Sequence, residues 1–116
     1  MPRREWAMRI RDILDAVNKI LDHTADLDFD AFVDDGWTVD AVLRNLTVIG
    51  EAARHVPDEV VSTYPDLPWR EMCDMRNIVV HEYFGVDLAI IWHTIREDLP
   101  PVVSQLEEVV RNWGTQ

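Results

Sequence analysis

The 116 residues contain a single cysteine, Cys73, and a single lysine, Lys19. One cysteine excludes an internal disulfide framework and suits a reducing compartment. No apolar run approaches the roughly 18–20 residues that a membrane-spanning helix needs. A signal-peptide core is also missing, because Arg3 and Arg4 are followed by Glu5, Arg9, Arg11 and Asp12. A cytoplasmic location is the default expectation. There is no internal repeat, no low-complexity stretch and no useful length of strand-like alternation. A glycine-rich phosphate loop is absent too, which argues against intrinsic nucleoside triphosphate hydrolysis. Positive charge is scarce: 11 Lys and Arg oppose 22 Asp and Glu, for a formal net charge of −11. The chain therefore lacks the general basic surface that binds nucleic acid without sequence preference. Apart from Lys19 every cation is an arginine, the planar fork suited to phosphate and carboxylate. Any contact with RNA must use a local arginine site inside an acidic body. A basic partner protein fits the charge equally well.

What is present is a pattern of helices. A hydrophobic fraction of 47% supports one core, and the length suits one domain over residues 1–116. Trp6, Ile10, Ile13, Leu14, Val17, Ile20 and Leu21 recur at three- and four-residue steps, which predicts a first helix over about residues 3–25. Asp28-Phe29-Asp30 opens a short helix or turn that ends at Asp34-Asp35-Gly36, where Asp35-Gly36 signals a turn. Thr38 is the expected N-cap of a second long helix carrying Val39, Val42, Leu43, Leu46, Ile49 and Ala53 inward, and stopping before Pro57. A short helix follows from Pro57 to about Tyr64-Pro65. Pro68 suits the first position of a third long helix, with Met72, Met75, Ile78 and Val79 inward. Phe84-Gly85-Val86 breaks that helix, and Asp87 caps a last one running to Trp113, which Pro100-Pro101 must kink or interrupt. Four long helical segments with short connections predict an all-α, antiparallel four- to five-helix bundle.

The candidate for chemistry is Arg76-Asn77-Ile78-Val79-Val80-His81-Glu82-Tyr83. Arg76 and Tyr83, seven positions apart, nearly eclipse on one helix face, roughly 10 Å apart along the axis. His81 lies about 140° around from Arg76, so one regular helix does not force the two together. A second copy of the helix across a two-fold axis would supply the missing partners. A histidine near its neutral pKa moves protons to and from a ribose hydroxyl or leaving oxygen, and an arginine neutralises charge on a phosphate. Asn77 can hydrogen-bond substrate or orient a catalytic group. A bland alternative stands beside this one, with Arg76 in a surface ion pair and His81 at a helix C-terminus, where imidazolium is favoured.

The run resembles the R-x4-H-x-Y signature of HepT-like toxins in the HEPN superfamily. The likeness continues through Arg11-Asp12-Ile13-Leu14, Arg44-Asn45-Leu46, Ile49-Gly50-Glu51-Ala52-Ala53, Pro68-Trp69-Arg70-Glu71, His81-Glu82-Tyr83-Phe84-Gly85-Val86-Asp87, Trp92 and Asp98-Leu99-Pro100. It spans roughly residues 9 to 110. The resemblance implies a HEPN-like helical bundle that dimerises with its motif helices at the interface. It implies a metal-independent endoribonuclease acting as a toxin beside an MNT-type nucleotidyltransferase antitoxin. On this sequence Arg76 would hold the scissile phosphate, His81 would act as general acid/base and Asn77 would fill the polar position after the arginine. Tyr83 would match the tyrosine to which such antitoxins transfer AMP. The family also holds members of doubtful nuclease activity, so a catalytically silent module that docks a nucleotidyltransferase is the competing reading.

Other residues suggest less. His93 and Glu97, four apart, could pair as metal ligands, but two ligands without a third are ordinarily a surface pair, so no metal and no cofactor is expected. His23 and His55 fall near helix C-termini. Cys73 beside Met72 reads as a buried small hydrophobe. Trp6, Trp37, Trp69, Trp92 and Trp113 read as core or dimer-interface residues, since a base-stacking platform needs several exposed together. Arg44 and Glu51 share a helix face and either line the motif cleft or form an ion pair.

Overall fold

The apolar stripe of the first helix faces inward in the computed structural model, which describes residues 3–82 and 87–113. Side-chain placement is described for these residues apart from Arg3, Arg4, Ile78, Val80, His81, Glu82 and Trp113. Helix α1 (Arg3–Thr24) buries Trp6, Ile10, Ile13, Val17 and Ile20. Its last residue, Thr24, is fully buried and satisfies its hydroxyl by donating to the Ile20 carbonyl at 2.7 Å. Helix α2 (Phe29–Asp34) begins where the Asp28 carboxylate accepts from the Ala31 amide at 2.8 Å.

The second long helix, α3 (Gly36–Arg54), is capped by Asp35 and not by Thr38. The Asp35 carboxylate accepts from both the Thr38 hydroxyl (2.7 Å) and the Thr38 amide (3.1 Å). Those bonds, the hydroxyl's first, hold the carboxyl below its ordinary range. A carboxylate three residues upstream is the stronger acceptor, so Thr38 becomes the donor and the helix starts three residues early. Asp35-Gly36 is then a one-residue joint, because the Asp35 amide also closes α2 by donating to the Phe32 carbonyl at 3.1 Å.

Pro57 caps α4 (Asp58–Thr63). Pro68 stands one residue before α5 (Trp69–Glu82) and accepts the Met72 amide at 2.9 Å, so it serves as the cap and not as the first helical residue. The Trp69 indole N–H donates to the Tyr64 carbonyl at 2.8 Å, locking the α4–α5 connection. After Asp87, whose carboxylate accepts from the Ala89 amide, come α6 (Leu88–His93), a π-helical turn (Thr94–Asp98) and α7 (Leu99–Trp113).

Pro100 and Pro101 thus interrupt the long last segment by widening it. Neither proline has an N–H to give the preceding turn, and the Leu99 amide reaches back five residues to the Thr94 carbonyl. The widened turn places His93 opposite Asp98, with Nε2 and Oδ1 4.0 Å apart, instead of opposite Glu97. The expected His93–Glu97 pair is therefore not formed. No group of three His, Cys, Asp or Glu able to hold a metal occurs among the described residues.

Helix α3 packs most extensively on α5 and α1, and α1 packs in turn on α7. Leu46 and Ile49 of α3, Met72 and Val79 of α5, and Leu99, Leu106 and Val109 of α7 join the α1 stripe in one core. The result is the all-α, HEPN-like bundle expected, 44 × 28 × 21 Å in extent. Among the described residues no helix is long and apolar enough to cross a membrane.

Arg96, in the π turn, fastens the last segment to the first. Its Nη2 donates to the carbonyls of Thr24 (2.7 Å) and Leu27, while its guanidinium lies 4.1 Å from the centre of the Trp92 ring. The end of α1 is thereby capped by a cation from the far end of the chain.

Trp6 and Trp69 are buried and Trp92 is half-buried, but Trp37 is 89% exposed, so of the two readings, core or dimer interface, Trp37 is not core. Trp37 sits in the first turn of α3. The side chain of Trp113 lies outside the described residues. Cys73 is half-buried, and desolvation, with Asp74 second, pushes its thiol pKa up.

Candidate functional site

Arg76 is set by the crossing of α3 and α5, which is close because α3 has no side chain at the point of contact. An ideal Cβ at Gly50 would overlap the Arg76 Cβ and stand 2.6 Å from its backbone nitrogen and 3.0 Å from its Cα. Glycine inside a helix costs about 1 kcal/mol relative to alanine, and here it permits a backbone approach that no other residue allows. The neighbouring Ala52 and Ala53 are also buried.

The residue after that glycine meets the arginine. The Glu51 carboxylate pairs with Nε of Arg76, and the same oxygen lies 3.5 Å from Nη1 of Arg54. Arg76 and Glu51 have side chains 31% and 43% exposed, so the pair sits at the surface with part of each group out of water. Nη1 of Arg76 also approaches the Asn77 side-chain oxygen at 3.5 Å, a distance at the outer limit of a hydrogen bond. Asn77 itself is exposed.

His81 belongs to the last turn of α5, one residue before its end. At five residues from Arg76, regular helix geometry places its backbone about 140° around and roughly 7.5 Å along the axis. The histidine side chain lies outside the described residues, and so does Tyr83. Of the four site residues read from the sequence, Arg76 and Asn77 adjoin each other.

The Arg44–Glu51 pairing left open by the sequence does not form. Glu51 turns to Arg76 and Arg54, while Arg44 is exposed with no ion-pair partner among the described residues. Sequence reasoning missed Gly50 and the partner of Glu51. The available signal was the small-residue run at Gly50, Ala52 and Ala53 inside a strongly apolar helix, which marks a close helix approach.

A larger concavity of about 570 Å³ lies on another side of α5, against the π turn and α7. Asp66, Glu71, Asp74, Glu97 and Asp98 line it, with no cation among the described residues, so this lining disfavours phosphate.

The other family-like segments have structural work. Trp69 and Pro68 anchor the start of α5, Asp87 caps α6, and Leu99 is fully buried beside the π turn.

Comparison with known proteins follows the same residues. The family model described as ribonuclease HepT-like matches residues 13–109. Two Methanocaldococcus jannaschii proteins, both provisionally named RNases, are similar to this chain. One is 36% identical over 97% of this chain and 93% of its own length. The other is 35% identical over 94% of this chain and all of its own length. A Thermococcus cleftensis protein, named as a probable ribonuclease HepT, is 38% identical over 86% of this chain and 91% of its own. No solved structure matches. With the motif helix, the all-α bundle and these full-length likenesses in agreement, the chain belongs to the ribonuclease HepT-like family, a branch of the HEPN proteins.

Proposed function

We propose that this protein is the toxin of a toxin–antitoxin pair, an endoribonuclease that cuts RNA without a metal at an Arg76–His81 site shared by two copies. The observation that carries the reading is the half-exposed Arg76, delivered by the α3–α5 crossing at the head of an intact R-x4-H-x-Y run. In an acidic body, such a local cation is the means by which a phosphate can be held.

The reaction follows from the side chains. Neutral His81 takes the proton from a ribose 2′-hydroxyl as its oxygen attacks phosphorus. The P–O5′ bond breaks, and an imidazolium, supplied by His81 of the second copy, protonates the leaving oxygen. Arg76 offsets the negative charge that grows on the phosphoryl oxygens, and Asn77 binds beside it. The products are a 2′,3′-cyclic phosphate and a 5′-hydroxyl. A homodimer brings together the groups that one regular helix holds about 140° apart.

Control is assigned to Tyr83. In the R-x4-H-x-Y run it stands seven positions after Arg76, so an AMP attached there by an MNT-type nucleotidyltransferase would place a phosphate negative charge near the arginine that holds RNA. Arg76 would then pair with the attached group.

The test is cleavage of RNA by the purified chain in excess EDTA, with the product ends identified. Cyclic phosphate termini, a dimer at micromolar concentration and loss of cleavage in His81→Ala are the expected results. Absence of cleavage by the unmodified dimer would favour instead the silent module that docks a nucleotidyltransferase. Peptide mapping after co-expression with an MNT-type nucleotidyltransferase tests Tyr83. Tyr83→Phe retains toxicity and escapes modification, whereas an unmodified Tyr83 in a neutralised complex would mean inhibition by occlusion.

A further inference from the structure

We infer that Glu51 is the positioning residue for Arg76: its carboxylate takes the Nε–H side-on and aims the terminal nitrogens of the guanidinium at the substrate phosphate. The inference rests on the reading of Arg76 as the phosphate-binding arginine and adds a residue from another helix to that site. Three observations combine. Gly50 brings the α5 backbone against α3 at Arg76 itself, so the next residue on α3 is fixed relative to the guanidinium. The Glu51 contact is to Nε, the donor nearest the chain, so the terminal nitrogens, of which Nη1 has only the long Asn77 contact, can turn to a phosphate. Arg54, 3.5 Å from the same carboxylate oxygen, shares the negative charge, so Arg76 keeps attraction for an anion.

Asn77 cannot replace this anchor, because its 3.5 Å contact is long and its side chain is exposed. Without Glu51 the arginine would regain rotamer freedom that must be lost again in the transition state. A carboxylate beside the phosphate site also repels the incoming anion. The two effects have opposite signs, which makes the role measurable: loss of Glu51 lowers kcat through misplacement, while removal of a negative charge leaves KM unchanged or lower.

The experiment uses the full chain, a single-stranded RNA oligonucleotide and the variants Glu51→Ala and Glu51→Gln. Glu51→Ala is expected to lower kcat about tenfold or more with no rise in KM, as misplacement of a reacting group does. Glu51→Gln keeps an oxygen that accepts from Nε and recovers most of that loss. An unchanged kcat in Glu51→Ala, a loss lying wholly in KM, or no recovery by Gln overturns the assignment. A second readout does not depend on cleavage. The ¹⁵Nε–¹Hε resonance of Arg76, identified by its disappearance in Arg76→Lys, moves in Glu51→Ala and moves less in Glu51→Gln, whose amide oxygen still accepts but more weakly. A resonance indifferent to Glu51→Ala overturns the inference even if RNA is cut. A wild-type protein that cuts no RNA would defeat the ribonuclease reading, while the resonance still decides the contact.

Discussion

Replacing Gly50 by alanine tests the crossing on which the site depends. Ordinary van der Waals contact begins near 3.4 Å, whereas a Cβ at position 50 would stand 2.6 Å from the Arg76 nitrogen, so α5 must retreat by at least 0.8 Å. The clash is with backbone, and no flexible side chain can rotate away to relieve it. Overpacking of this kind costs about 1–3 kcal/mol. Alanine returns about 1 kcal/mol of helix propensity, leaving a net destabilisation of about 0–2 kcal/mol. At about 4 °C per kcal/mol for a domain near this size, the thermal midpoint falls by less than about 10 °C. Activity suffers more, because a displacement near 1 Å can cost on the order of 10²-fold. The assay pairs thermal unfolding by circular dichroism with RNA cleavage at a temperature where both proteins are folded. A variant as active as the wild type, or one stabilised by the full helix-propensity gain, would show that α3 and α5 do not meet at Gly50 and would refute the reasoning.

The remaining expectations address the motif, the tie between the chain ends and the caps. His81→Ala lowers the cleavage rate about 10²–10⁴-fold, the usual worth of general acid/base catalysis, with little change in the thermal midpoint; Arg76→Lys is also impaired, since lysine lacks the planar fork. Arg96→Ala leaves the carbonyls of Thr24 and Leu27 without their cation and destabilises the fold by about 2–4 kcal/mol, measured by urea unfolding, while the folded fraction keeps its activity per molecule. Asp35, whose folded carboxyl pKa is lowered, contributes stability that is present above its unfolded pKa and disappears as pH falls through the folded value. Asp35→Ala should therefore be less stable than the wild type at neutral pH and converge toward it in acid, as unfolding midpoints across that range will report. Cys73, raised by burial, should react with a thiol-alkylating reagent at pH 8 more slowly in the folded protein than after unfolding, and equal rates would contradict that placement.

Much of this molecule was legible along the chain because helices are local. The repeat from Trp6 to Ile20 names the inward face of α1 without reference to any other segment, and the structure buries Trp6, Ile10, Ile13, Val17 and Ile20 and half-buries Leu14. Caps are nearly as local, and their one-residue displacement at Pro68 changes little. Asp35 displaced Thr38 only because a carboxylate three residues upstream offers a stronger acceptor. The Arg76-to-Tyr83 segment stood out through its resemblance to the R-x4-H-x-Y signature, since spacing alone left a surface ion pair equally open.

Tertiary structure decided the contacts between segments. Seven-residue spacing on one helix suggested that Arg44 and Glu51 belong together, but spacing along one element says nothing about what crosses it. The crossing at Gly50 gives Glu51 to Arg76 on another helix. Arg96 could be recognised as a cap only once the chain had brought it back to Thr24, 72 residues earlier. The π turn changed the partner of His93 from Glu97 to Asp98 because widening a helix by one residue re-phases the residues on its face. Trp37 is a tryptophan like the others, yet in the first turn of α3 it is left exposed. Periodicity determines which face of a helix is apolar; the approach of another backbone determines which polar residue on that helix acquires a partner.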